Sequence, residues 1–340
     1  MRGLPRWGRV IAGFAIAALF LVLLARSIDW SEVRQILAGA AWPPLALAVL
    51  ALGADMSARI TRWWLMLRAA QPDLPWISCA RPFLGSLALN NTVPLRAGDV
   101  VRVFGFRRTL RAPTAHVLGT LVLERMLDLL VLLAILSVSV LGAAGAFPRP
   151  FFVLAYVAGA ACVAAVGAIT LAPRSITSAV QWVVARLFAR RRWALSIHQA
   201  VDQLTQSLAL LRSPVRALGL LGLSIVAWVL EGLVFACVLW SLQIQVPWPA
   251  AWLSLAAATL ATLLPSSPGY VGTFDYFASL GLTAYGAAPA PAAAFAVLAH
   301  LVLWLPVTAA GFAVLLLGRH RSPTSRVAAR PATDRSGVVT

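Results

Sequence analysis

Glu124-Arg125-x-x-Asp128 is a dense group of ionisable residues inside an apolar run of this chain. On a helix Glu124 and Asp128 stand four apart and share a face, while Arg125 and Asp128, three apart, are within pairing reach. Two carboxylates and one guanidinium leave the group net negative, so a further basic residue is needed; Arg96 and Arg102 are the nearby candidates. Carrying a charge into a bilayer costs roughly 2.5–3.5 kcal/mol on insertion scales, so ionised residues there are usually paired and usually functional. Two readings stand side by side: a polar, water-accessible site for a charged head group, or a buried ion-pair staple holding its helix to its neighbours. Both hold together if a paired arginine still offers free donors to a phosphate.

Two further stretches combine polar side chains with a break in the backbone. Asn90-Asn91-Thr92 ends an apolar run and is followed by Pro94-Leu-Arg96-Ala-Gly98-Asp99-x-x-Arg102. Proline and glycine stop a helix and expose backbone N–H groups. A helix starting near Gly98 would favour an anion at its N-terminus, and lipid phosphate is the anion at that depth. A basic cytoplasmic loop is the plainer reading. The second stretch is Pro265-Ser-Ser-Pro268-Gly269-Tyr270-Val-Gly272-Thr273-Phe-Asp275. It supplies hydroxyls and, from Asp275, a carboxylate. Unwound segments of this kind mark binding sites in transporters with paired broken helices; a tight turn outside the membrane is the alternative. Asp55, Glu231 and His300 stand singly in apolar runs, as candidate proton carriers or as locally satisfied packing residues.

Composition sets the class. Hydrophobic residues make up 61% of the chain and charged residues 11%, whereas about a quarter of a soluble domain is charged. The 28 basic residues are all arginine and leave a net charge of +17. Such an excess can signal nucleic acid, but these arginines fall in short loops between apolar runs, so no nucleic-acid partner is expected. Cys79, Cys162 and Cys237 lack metal-ligand or redox spacing. No phosphate-binding loop, zinc-protease or serine-hydrolase motif is present. Neither a metal nor another cofactor is expected, and ATP-driven transport by this chain alone is not.

The elements that must position these residues are apolar helices of about 20 residues. Spans are expected at 10–25, 42–58, 115–141, 151–171, 214–240 and 291–317. The connector at 28–40 reads as an interfacial helix, and Arg59-Ile-Thr-Arg62-Trp63-Trp64 as an interfacial anchor. Residues 77–93 form an interrupted, re-entrant segment, followed by a basic surface stretch from Arg102 to Arg111. Residues 248–264 and 269–285 are either two short spans or a second re-entrant pair. Residues 173–213 carry apolar residues at helical spacing and read as a cytoplasmic amphipathic insertion. The polar tail, 319–340, reads as disordered and cytoplasmic. The arginine distribution places both termini in the cytoplasm by the positive-inside rule. The fold class is therefore an all-α polytopic membrane protein of about six to eight transmembrane helices with two broken or re-entrant segments, near Pro94 and Pro268. Residues 1–318 form one membrane domain.

Three motifs in this order resemble the lysylphosphatidylglycerol synthase transmembrane-region family, whose members are also called flippase-like-domain proteins. They are Asn91-x-x-Pro94-x-Arg96-x-Gly98-Asp99-x-x-Arg102, Glu124-Arg125-x-x-Asp128 and Pro265-x-x-Pro268-Gly269-Tyr-x-Gly272-Thr-Phe, and the resemblance covers about residues 5–320. The first motif more often ends in Glu, and Asp99 is one methylene shorter. The resemblance implies a multi-pass protein of the bacterial or archaeal inner membrane with about eight helices and re-entrant elements. Family members include the flippase half of the multiple peptide resistance factor, which moves aminoacylated phosphatidylglycerol outward. Carried over by residue, Arg96, Asp99, Arg102, Glu124, Arg125, Asp128, Pro268 and Gly269 would line or shape a translocation cavity. No soluble aminoacyl-transferase domain is expected to accompany these motifs, so the lipid of the two-domain members is not expected to transfer. The expectation is a non-enzymatic lipid flippase or scramblase whose partners are membrane phospholipids or a polyprenyl-linked lipid. The alternatives are an accessory protein binding a lipid carrier or an envelope-synthesis enzyme such as a glycosyltransferase, and a proton-coupled transporter of a soluble solute using Asp55, Glu231 and His300.

Overall fold

The computed structural model describes residues 6–26, 28–142, 213–264 and 267–317, with isolated positions between 153 and 186. Among the described residues every regular element is helical. The span expected at 151–171, the amphipathic insertion and the tail lie outside the described residues, isolated positions aside.

Helix α1 (Arg6–Ala25) is followed, after a bend of 86°, by α2 (Trp30–Ala38). Asp29 forces the restart: its carboxylate accepts from the backbone N–H and hydroxyl of Ser31, at 2.8 and 2.7 Å, satisfying the first turn of α2. These two hydrogen bonds hold the exposed Asp29 carboxyl below its ordinary range. Helix α3 runs from Trp42 to Leu67, with Pro43 and Pro44 in its first turn, where a missing N–H costs nothing. It continues nine residues beyond the expected end at Ala58, through Arg59 and Arg62, because both guanidinium groups are paired inside the protein.

Two helical hairpins interrupt the series of long helices. The first joins α4 (Ile77–Thr92) to α5 (Ala97–Phe104) through a 3₁₀ turn at Pro94–Arg96. Its arms close because Gly98 lies directly on the Ser86 carbonyl, where any Cβ would collide with backbone. Asn90 ties the arms together, donating to the Asp99 carboxylate at 2.9 Å and accepting from the Asp99 N–H at 3.2 Å. The second hairpin joins α9 (Pro249–Ala261) to α10 (Thr273–Thr283) around a 3₁₀ turn at Pro268–Tyr270, with Gly281 packed on the Ser254 backbone. At 13 and 11 residues, its arms reach only about 20 and 17 Å at 1.5 Å per residue, short of the roughly 30 Å hydrocarbon core.

A short helix, α6 (Arg107–Leu110), leads to α7 (Thr114–Gly142), which is 29 residues long. Helix α8 (Pro214–Ser241) packs along α3, and α11 (Pro289–Leu317) packs along α4 and α10. Three of these helices, α3, α8 and α11, are long and apolar enough to cross a membrane; α7 matches them in length but carries Glu124, Arg125 and Asp128. Small residues allow the close approaches: Gly311 sits against the Leu84 backbone and Ala88, and six alanines of α11 between Ala290 and Ala299 are buried. The main core forms around Phe235, whose ring centroid lies 6.2 Å from that of Phe274 and 5.8 Å from that of Phe295.

Candidate functional site

The polar residues gather in two places. The first is a cluster where α3, α5, α7 and α8 meet. Helix α3 presents Asp55, Arg59 and Arg62 on one face, because spacings of four and three keep them in line. Arg59 donates from Nε to Asp55 Oδ1 at 2.7 Å and from Nη2 to Glu231 Oε2 at 2.5 Å, and its guanidinium stacks 4.3 Å from the Trp228 ring. Arg62 Nη1 donates to Asp128 Oδ1 and to Ser224 Oγ, both at 2.7 Å, and Trp228 Nε1 donates to the same Asp128 oxygen at 3.2 Å. Arg102 grips Glu124 through both terminal nitrogens, at 2.9 and 3.4 Å, while its guanidinium lies 3.8 Å from the Trp63 ring and 4.4 Å from Phe83. With all groups ionised, the four arginines 59, 62, 102 and 125 balance the four carboxylates 55, 124, 128 and 231.

Arg125 differs from the other seven. It stands 3.7 Å from Glu124 and 3.9 Å from Asp128, beyond hydrogen-bond length, and 41% of its side chain is exposed. The other seven side chains are between 0 and 13% exposed. Their carboxylates are already engaged by Arg59, Arg62 and Arg102, so Arg125 is held near negative charge without being consumed by it.

The second place is where the hairpin tips meet. Arg96 adopts a left-handed backbone (φ 52°). Its Nε donates to the Tyr270 hydroxyl at 2.9 Å, and Nη2 reaches Thr262 Oγ1 at 3.4 Å. Gly269 (φ 67°) lies against Trp304 and the Asn91 carbonyl, close enough that a Cβ would crowd both. Trp304, midway along α11, donates to the Asn91 carbonyl at 3.4 Å, and Asn91 Nδ2 donates to Thr308 at 2.8 Å. Asp275 caps α10 by accepting from the Gly272 N–H at 2.8 Å. His300 places Nδ1 2.8 Å from Asp275 Oδ1 and Nε2 2.9 Å from the Gly269 carbonyl.

Several expectations change against this geometry. Arg59, Arg62 and Trp63 are not an interfacial anchor: they are 9, 0 and 0% exposed, and both arginines are ion-paired. Arg102, 1% exposed, is part of the buried cluster and not of a basic surface stretch. Arg102 balances Glu124, whereas Arg96 turns away to the second hairpin. Asp55 and Glu231 are joined through Arg59, while His300 belongs to the tip region with Asp275, so those three do not form one relay. Arg59, Arg62, Ser224, Trp228 and Tyr270 were not among the expected site residues. The Asp55-x-x-x-Arg59-x-x-Arg62 spacing was the signal that could have found two of them.

Comparison with known proteins agrees with this arrangement in extent. Over 328 residues the chain is 27% identical to a Haloferax volcanii protein described as glycosyltransferase AglD, covering 86% of this chain and 51% of that protein. The chain thus spans about half the length of the curated relative it matches. The profile of the lysylphosphatidylglycerol synthase transmembrane region matches residues 10–311, the whole stretch that holds both polar centres. The chain is a membrane protein and belongs to the lysylphosphatidylglycerol synthase transmembrane-region family.

Proposed function

We propose that this protein is a non-enzymatic lipid translocator of the plasma membrane, which carries the phosphate-bearing head group of a lipid past the bilayer centre. The observation that supports the reading best is Arg125. A guanidinium 41% exposed beside an otherwise buried, charge-balanced cluster is a phosphate donor whose own charge has been prepared for in advance. A head group docked there exchanges water for fixed polar partners, which lowers the barrier to crossing hydrocarbon.

The hairpins fit this reading. With α1, α3, α7, the span expected from the sequence at 151–171, α8 and α11 crossing the membrane and both termini cytoplasmic, chain parity would start and end residues 77–104 on the cytoplasmic side and residues 249–283 on the other. Two re-entrant hairpins entering from opposite faces then meet tip to tip, and their junction lies at Trp304, midway along α11. Non-helical backbone at that depth is tolerated where it is covered by protein or lines a watery cavity.

Reconstituted into vesicles, the protein is expected to accelerate leaflet exchange of a labelled phospholipid. Arg125→Ala is expected to slow it about tenfold, the equivalent of one charge-assisted hydrogen bond. Exchange no faster than in empty vesicles, across head groups of different charge, would overturn the proposal. A second reading, favoured by the relative described as a glycosyltransferase, is a membrane domain that binds a lipid-linked carrier beside a sugar-transfer enzyme. A stoichiometric enzyme partner on mild-detergent purification, together with absent exchange activity, would favour it.

A further inference from the structure

His300 sits with an acceptor at each ring nitrogen. Nδ1 faces the Asp275 carboxylate at 2.8 Å, and Nε2 faces the Gly269 carbonyl at 2.9 Å. A neutral imidazole carries one N–H and one lone pair, so it can satisfy one of these acceptors and must oppose the other lone pair to lone pair. Satisfying both requires one more proton in the pair. It resides either on the ring, giving imidazolium and carboxylate, or on Asp275 Oδ1, which then donates to Nδ1. The proton count is the same in either form.

The surroundings leave few other groups to share this proton. Asp275 is the charged group facing His300 among the described residues, and its second oxygen is occupied by the Gly272 N–H. Phe274 packs on the ring with centroids 4.8 Å apart. Helix α1 contributes Leu21 and Leu24, α2 contributes Trp30, and α11 itself Val297, Leu301 and Trp304. These residues, with Val271, wall an open groove of about 320 Å³ that reaches Asp275 and His300. Both ionisable side chains keep some exposure, 8% for Asp275 and 14% for His300, so the pair is not sealed off from the groove.

We propose that His300 and Asp275 form a proton-binding site whose occupancy latches the tip of the second hairpin against α11 and the first hairpin. When the shared proton leaves, the remaining one stays on Nδ1, because a carboxylate is the stronger acceptor and an anion facing a lone pair the greater penalty. Nε2 then repels the Gly269 carbonyl, and the contact is lost. Gly269 is the residue that also packs on Trp304 and the Asn91 carbonyl, and its neighbour Tyr270 holds Arg96. Releasing Gly269 therefore loosens the junction between the hairpins. The junction is closed while the pair holds the shared proton and opens when that proton is lost. As a coupling step for lipid movement, the latch rests on the translocator reading; as a proton-dependent contact it does not.

The test measures the distance between the two tips in the full-length protein, without lipid transport. Spin labels go on Val93→Cys and Val271→Cys, which are 37 and 45% exposed, with the native cysteines replaced. Across a series of buffers of rising pH, the short-distance population should give way to a longer one. His300→Gln, which can donate to Gly269 but does not titrate, should hold one distribution at every pH. An unchanged distribution in the protein with His300 intact overturns the latch, as does an equal pH response in His300→Gln. A pH-dependent tip distance with no lipid exchange in vesicles overturns the translocator reading and leaves the latch standing; exchange with a pH-independent tip does the reverse.

Discussion

The charge cluster and the hairpin junction solve the same problem, polar groups inside an apolar protein, by different means. In the cluster, charged side chains from α3, α5, α7 and α8 pair with one another at 2.5–2.9 Å, Arg102 from an arm of the first hairpin and the rest from long helices. At the junction it is largely backbone that must be satisfied. The carbonyls of Asn91 and Gly269 take side-chain donors from Trp304 and His300, and Arg96 reaches a neutral hydroxyl. The cluster is therefore rigid at its centre and open only at its rim, through Arg125. The junction is held by a handful of neutral or titratable contacts and is the part suited to move. Rigid charge would position a head group, while a weakly held junction would let it pass.

That contrast is sharpest in stability measurements. Arg62→Ala removes the guanidinium that pairs with Asp128 at 2.7 Å and leaves the Trp228 N–H as its hydrogen-bond donor; removing one partner of a buried pair typically costs about 3–5 kcal/mol. The variant is expected to lose much of its folded yield and thermal stability; unchanged melting in detergent would show that the cluster is not the anchor. Gly98→Ala drives a Cβ into the Ser86 backbone, an overpacking expected to cost about 1–3 kcal/mol. It should also raise proteolysis between residues 77 and 104, and protection equal to the parent would contradict the hairpin packing. Tyr270→Phe removes the hydroxyl that accepts from Arg96 and is expected to cost about 0.5–1.5 kcal/mol. It should widen the tip-to-tip distance distribution without altering the cluster; an unaltered distribution would mean the hydroxyl does not hold the tips. Arg125→Ala should change stability least, by no more than about 1 kcal/mol, since its side chain is 41% exposed and stands beyond hydrogen-bond length from both carboxylates, yet it should slow lipid exchange most. Equal losses of stability and exchange would merge the two roles that the comparison separates.

Much of the arrangement was legible along the chain. Apolar run length gave the long described helices, and Pro94, Pro268 and Gly269 marked the breaks, because those residue types end helices whatever surrounds them; Gly98 lies inside α5 and closes the hairpin arms instead. The Glu124-Arg125-x-x-Asp128 spacing placed its residues on one turn, and they do lie in one cluster. Arg59 and Arg62 were harder. Two arginines next to two tryptophans look like an interfacial anchor until their partners on α7 and α8 are seen, 66 to 172 residues away in sequence. Which of the basic residues stays available was beyond local reading as well: Arg96, Arg102 and Arg125 are alike in type and neighbourhood, and only their partners distinguish them.

The sequence by itself determined that this is a helical membrane protein with scarce charge and two interrupted segments, since composition, span length and helix-breaking residues act locally and need no partner. Only the tertiary structure decided how the charges pair, that the two breaks touch, and that His300 joins Asp275 and Gly269 while Asp55 and Glu231 meet at Arg59. The physical reason is distance. An ion pair or hydrogen bond falls off within a few ångströms, so its worth is set by which helices pack together and in what register, and no run of neighbouring residues encodes that register alone.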